Sequence, residues 1–230
     1  MKKIVQSPHF AEFNNLMHGF TTRELGADYD RLAVELKILS SQIYHLEQIH
    51  SDKVVYLNEG MDLSHLPHAD ALITQRKGVV IGVRTADCLP ILIHDPEREV
   101  VAAVHAGHKG LLAGVIQNTL KIMTERIDCD SEDIFVLIGP AISVENYEVD
   151  QSLIDAFEKK YTNQVVFTKG QKLKPHFDLK ATAKNILQDA GVDKLHISDL
   201  NLCTFERSDL FYSYRRGDRD VRQFSFIGMF

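Results

Sequence analysis

Two apolar runs, residues 91–94 and 100–105, are separated only by a short polar stretch beginning Asp95-Pro96-Glu97-Arg98. That spacing demands an antiparallel hairpin, because parallel neighbours need a crossover of roughly a dozen residues or more. A strictly parallel, doubly wound sheet is therefore excluded around these strands. Asp at the first turn position and Pro at the second suit a four-residue turn with Asp95 facing Arg98. In that register Cys88 stands opposite His105, on one face of the sheet, with Cβ atoms about 5 Å apart. A slip in register would break the pairing.

The rest of the chain supplies layers to cover such a sheet. Leu32, Leu36, Leu39, Ile43 and Leu46 recur at helical steps and predict one helix that delivers the chain to His50. Strand-like runs follow at 53–57, 71–74 and 79–84. A second helix is expected from Gly110 to about Ile127, with Leu112, Val115, Ile116, Leu120, Met123 and Ile127 turned inward. Ile134-Phe-Val-Leu-Ile138 ends at Gly139-Pro140 and reads as a strand buried on both faces. Asp150 and Asp178 are placed as N-caps of a third and a fourth helix, the latter ending at Gly191. Runs at 195–199, 211–214 and 223–229 are expected as the last strands. Short turns between strands, mixed with helices, predict an α/β (α+β) fold: mixed sheets covered by helices in layers. A chain of 230 residues can bury this as a single catalytic domain, 1–230, and no linker or repeat divides it.

A net charge of −6 argues against a duplex nucleic-acid partner, which calls for a basic face, yet leaves room for a small anion held by local cations. No apolar signal segment follows Met1-Lys-Lys, and no run of about 18 apolar residues exists, so no membrane role and a cytoplasmic location are expected. Cys88, Cys129 and Cys203 are odd in number and widely spaced, unlike a disulfide framework. Reduced thiols leave Cys88 free to ligate or to attack.

His50, Cys88 and His105 each sit in a punctuated segment: Gln48-Ile-His50-Ser, Thr85-Ala-Asp-Cys88-Leu-Pro90 and Val104-His105-Ala-Gly-His-Lys-Gly110. Taken singly, each has a plain explanation, as a buried thiol, a strand-end histidine or a loop residue. Together they match a catalytic zinc centre with three protein ligands and an open fourth position; copper suits the same ligands. None of the eleven histidines forms a His-x-His pair, which argues against a self-contained multicopper oxidase. The glycines around His108-Lys109 fit either an anion-cradling turn or a simple tight turn. Arg23, Lys109 and the Tyr214-Arg215-Arg216 segment are the cationic candidates for binding a substrate anion. Asp178 and Cys203 are read as a cap and a core residue. Without a metal, Cys88 as nucleophile and His105 as base would make a hydrolase. A partner-binding module with structural zinc is the non-enzymatic alternative.

Further segments join these: Gly19-Phe-Thr-Thr-Arg23, Ala69-Asp-Ala-Leu-Ile-Thr74, Ile138-Gly-Pro140, Cys203-Thr204 and Phe211-Tyr-Ser-Tyr-Arg-Arg216. In this order they resemble the laccase-domain, or multicopper polyphenol oxidoreductase, family, now associated with purine nucleoside phosphorylase activity. The resemblance implies zinc bound by His50, Cys88 and His105. It also implies phosphorolysis of adenosine, inosine and methylthioadenosine, with adenosine deamination besides. Purine nucleosides and phosphate would be the partners, and the protein a monomer with a layered fold like that of cysteine hydrolases. Two departures stand out. His108-Lys109-Gly110 replaces the family's usual Trp-Arg-Gly, and the glycine-rich stretch after Thr-Thr-Arg is thinned to Glu24-Leu25-Gly26.

Overall fold

The computed structural model describes residues 2–61, 66–161, 164–169 and 174–230. Two mixed sheets face each other. One has five strands, in the order β1 (Ile4–Val5), β2 (Leu16–Thr21), β13 (Gln223–Met229), β6 (Val79–Thr85) and β3 (Ile43–Tyr44). The other has six: β12 (Ile197–Asp199), β9 (Phe135–Ile138), β7 (Leu89–Asp95), β8 (Val100–Ala106), β5 (Ala71–Thr74) and β4 (Val54–Leu57). The pairs β3–β6, β4–β5 and β9–β12 are parallel and the remaining neighbours antiparallel. A small ribbon pairs β10 (Phe167–Lys169) with β11 (Pro175–Phe177).

Side-chain alternation along β8 builds the layers. Val101 and Ala103 point between the sheets, into a cluster with Ile81, Val83, Ile227 and Met229. Val100, Ala102, Val104 and Ala106 point the other way, against α3 (Val115–Ile127), α4 (Gln151–Lys160) and α5 (Leu179–Asp189). On the far side, Val80, Phe224 and Phe226 pack on Leu32 and Ala33 of α1 (Tyr29–Leu36). The order is helix, sheet, sheet, helix. All seven residues of β7 and of β8 are buried, which is why both strands read as unbroken apolar runs.

Four local expectations are corrected. The hairpin closes on Asp95 opposite Val100, not Arg98, so Pro90 pairs with His105 and Cys88 lies one residue ahead of the strand. Asp95 decides this register: one carboxylate oxygen accepts from the Glu97 and Arg98 amides, each at 2.9 Å, and Glu99 completes the loop in the left-handed region (φ 47°). The first helix stops at Leu36, where Lys37 turns left-handed (φ 58°), and Ile43 and Tyr44 are drawn into the edge of the five-stranded sheet. The second begins at His108 and breaks at Gly114 (φ 114°), giving a short α2 (His108–Ala113) before α3. The segment 211–214 is loop, its backbone groups taken by side chains: the Phe211 carbonyl accepts from Arg216, the Tyr212 amide and carbonyl bond the Gln223 side chain, and the Ser213 amide donates to Asp218. Asp150 does start α4, although its carboxylate accepts from Lys174 and caps no amide.

One topological feature places the functional residues. The β3–β4 and β6–β7 connections both pass from the five-stranded sheet to the six-stranded one, and because β3 and β6 are parallel they cross at the same end. The C-terminus of β8 arrives there too, since Leu89 pairs with Ala106.

Candidate metal and catalytic centre

His50 lies on the first crossing, Cys88 on the second, and His105 near the end of β8. Their ligand atoms all lie within 4.8 Å of one another, the one such group among the described residues. Convergence thus survives the register error, since a shift of two residues keeps Cys88 on the same face. The position opposite Cys88 belongs instead to Gly107. A Cβ there would sit 2.9 Å from the Cys88 sulfur and 3.2 Å from the His50 ring, so the approach of thiol and imidazole needs glycine.

Asp70, immediately before β5, organises the centre, and sequence reasoning gave it no role. It is fully buried. Its Oδ1 lies 2.8 Å from His105 Nδ1 and accepts from the His50 amide at 3.0 Å, while Oδ2 accepts from the Ser51 amide at 2.6 Å and the Ser51 hydroxyl at 2.8 Å. Those bonds hold His50 in the left-handed region (φ 57°), a conformation that costs about 1–3 kcal/mol without such support. They also commit His105 Nδ1, leaving Nε2 for the thiol or a metal. Gln48 adds a second brace: its amide donates to the Arg84 carbonyl and accepts from the Arg84 N–H, both at 2.8 Å, tying the His50 loop to β6. The signal for Asp70 was a lone carboxylate opening a wholly apolar strand, a place where a buried charge must have partners.

Asp87 plays a matching part beside Cys88. It too is left-handed (φ 92°), and its carboxylate accepts from the Thr204 hydroxyl at 2.6 Å, the Ser213 hydroxyl at 3.0 Å and the Arg215 amide at 2.7 Å. The long loop after Cys203 is thereby fastened to the turn that carries Cys88.

Charges inside the centre are coupled. Burial alone would raise the Cys88 thiol, but the imidazoles of His105 and His50 bring its pKa well below the ordinary range. Burial would lower His105, yet the Cys88 thiolate and Asp70 raise it. Both directions describe a thiolate beside an imidazolium, a state equally ready to bind a soft cation or to act as a nucleophile. The His50 and His105 rings meet edge to face, 4.8 Å between centres.

This cluster opens onto a cleft of about 740 Å³, large enough for a nucleoside-sized ligand. Gln48, Ile142 and Leu179 contribute to its walls, and so do His108, Tyr147 and Tyr214. Arg84, Arg215, Arg219 and Arg222 also line it, and none makes an ion pair with a carboxylate among the described residues. Four guanidiniums around one opening were not foreseen; only Arg215 was singled out. Arg23 and Lys109 are not among the lining residues. Arg23 donates to the Ser208 carbonyl at 2.8 Å and faces Asp218 at 3.6 Å, and Lys109 is solvent-exposed.

Comparison with known proteins agrees with this architecture. A protein of Corynebacterium glutamicum named purine nucleoside phosphorylase is 33% identical over 222 residues, covering 96% of this chain and 87% of that protein. One of Mycobacterium tuberculosis with the same name is 31% identical over 226 residues, 98% of this chain and 88% of that protein. The crystal structure of YlmD from Geobacillus stearothermophilus superposes with a TM-score of 0.90 at 26% identity, covering 99% of this chain and 96% of that one. The family profile described as multi-copper polyphenol oxidoreductase laccase matches residues 3–230, and the chain belongs to that family.

Proposed function

We propose that this protein is a purine nucleoside phosphorylase that holds zinc at His50, Cys88 and His105 and also deaminates adenosine. The observation that carries the reading is one three-ligand cluster opening onto a cleft lined by four arginines that make no ion pair with a carboxylate among the described residues. The residues fit a metal: two imidazoles and a thiol converge, Asp70 takes Nδ1 of His105 and so leaves Nε2 to ligate, and three protein donors are the number a catalytic zinc would use. Copper would accept the same donors. Bound zinc supplies Lewis acidity and lowers the pKa of a coordinated water.

In phosphorolysis a phosphate oxygen bonds to the anomeric carbon while the carbon–nitrogen bond to the purine breaks and its electron pair leaves with the base. Arg215, anchored through its amide to Asp87, is placed to hold the phosphate, with Arg84, Arg219 and Arg222 adding positive charge around the same opening. Held there, the anion faces the developing ribosyl cation with its orientation already fixed. Incubated with inosine and phosphate, the protein should release hypoxanthine and ribose 1-phosphate, and Arg215→Ala should raise KM for phosphate roughly tenfold or more. Adenosine deamination, which consumes only water, should persist without phosphate. Base release independent of phosphate would end the phosphorylase reading.

A second reading has its own support. Cys88, His105 and Asp70 stand in the relation of nucleophile, base and orienting carboxylate, the arrangement of a cysteine hydrolase. The same incubation separates the two, because a Cys88 acyl or amide hydrolase would leave inosine uncleaved, and hydrolysis of its glycosidic bond would yield free ribose, so neither gives a sugar phosphate.

A further inference from the structure

His108 and Tyr147 form a hydrogen-bonded pair that the roles above do not use. His108 opens α2, whereas Tyr147 follows the short helical turn Val144–Asn146, so they reach the cleft from different elements and both line it. His108 Nδ1 and the Tyr147 hydroxyl are 3.0 Å apart, and neither side chain makes another hydrogen bond among the described residues. The Arg215 guanidinium lies over the Tyr147 ring, 5.3 Å from its centre, and donates to the Glu148 carbonyl at 3.1 Å. The ring is thus clamped from one side.

Burial, followed by the charges of Lys109 and His50, lowers the His108 pKa. Burial raises that of Tyr147, as do Cys88 and Asp87, while Arg215 acts in the opposite direction. A neutral imidazole therefore meets a protonated phenol. With Nδ1 accepting from the Tyr147 hydroxyl, the ring proton resides on Nε2, for which no described side chain provides an acceptor.

We infer that His108 binds the purine itself: its Nε2–H donates to N7 of the base, and Tyr147 is a positioning residue that fixes the required tautomer. This rests on the phosphorylase reading. A single N–H on a neutral ring suits a neutral acceptor nitrogen, whereas the phosphate has guanidiniums on the same wall. As the bond to N9 breaks, charge spreads onto N7, so the hydrogen bond strengthens toward the transition state while the proton stays on His108.

Titrating the whole protein with inosine and with 7-deazainosine, which has C–H in place of N7, tests this without turnover when phosphate is omitted. The unaltered protein should bind inosine about tenfold more tightly. His108→Phe should bind the two equally, His108→Gln should retain part of the preference through its amide, and Tyr147→Phe should reduce it. KM for phosphate should be unchanged in all three. A preference that survives in His108→Phe, or a raised phosphate KM with the preference intact, overturns the assignment while leaving the phosphorylase reading in place if inosine is still cleaved. No inosine binding by the unaltered protein would remove both.

Discussion

Asp70 shows how much one carboxylate can determine. Its two oxygens fix a ring nitrogen of His105, the strained backbone at His50 and both polar groups of Ser51. Burial would raise its pKa, but the hydrogen bonds from His105 and Ser51 outweigh that and hold it at about 2. A folded-state value below the unfolded one means stability that is present above about pH 4 and is lost as pH falls from about 4 to about 2. The size is about 2 kcal/mol for a shift of this order. Asp70→Asn should therefore lose about that much at neutral pH and show a shallower decline through the acid range, as measured by urea unfolding of metal-free protein. Wild-type and variant profiles running parallel from pH 5 to 2 would show that the carboxylate carries no such linkage.

At the scale of elements, the break between α2 and α3 is made from both sides. Gly114 takes φ 114°, and side chains from the end of α4 cap the last carbonyls of α2: Lys160 donates to Leu112 and Ala113 at 2.8 and 2.7 Å, and the Tyr161 hydroxyl to Leu111 at 2.9 Å. A Cβ at Gly114 would meet nothing nearer than 3.6 Å, so the constraint is backbone conformation and not space. Gly114→Ala should cost roughly 1–3 kcal/mol. In a continuous helix the same change would stabilise by up to about 1 kcal/mol, so the sign of the shift in the urea midpoint decides between the two geometries. The break matters because it sets the direction of α2, whose first residue is His108.

For the molecule as a whole, the single ligating cluster among the described residues limits metal content. Protein purified without added metal should carry at most one tightly held ion per chain, and Cys88→Ala should lose it, both measured by elemental analysis. Several coppers per chain, with phenol oxidation by protein as isolated, would contradict metal binding limited to this one cluster among the described residues.

Much of this organisation was legible in the sequence because it depends on local or repetitive signals. The buried hairpin strands, α3 to α5, β9 and the final strand are written in apolar periodicity, caps and turn residues, which act over a few positions. The candidates His50, Cys88 and His105 stood out by residue type and by the punctuation around them. Tertiary structure alone decided three other matters. The hairpin register depends on which amides the Asp95 carboxylate reaches, and a two-residue shift leaves the apolar pattern unchanged. Residues 43–44 follow a helical period but become an edge strand because the five-stranded sheet offers unpaired backbone groups there. Asp70 and the four arginines acquire their positions from two chain crossings that meet at one end of facing sheets, contacts between segments far apart in sequence, which no local pattern encodes.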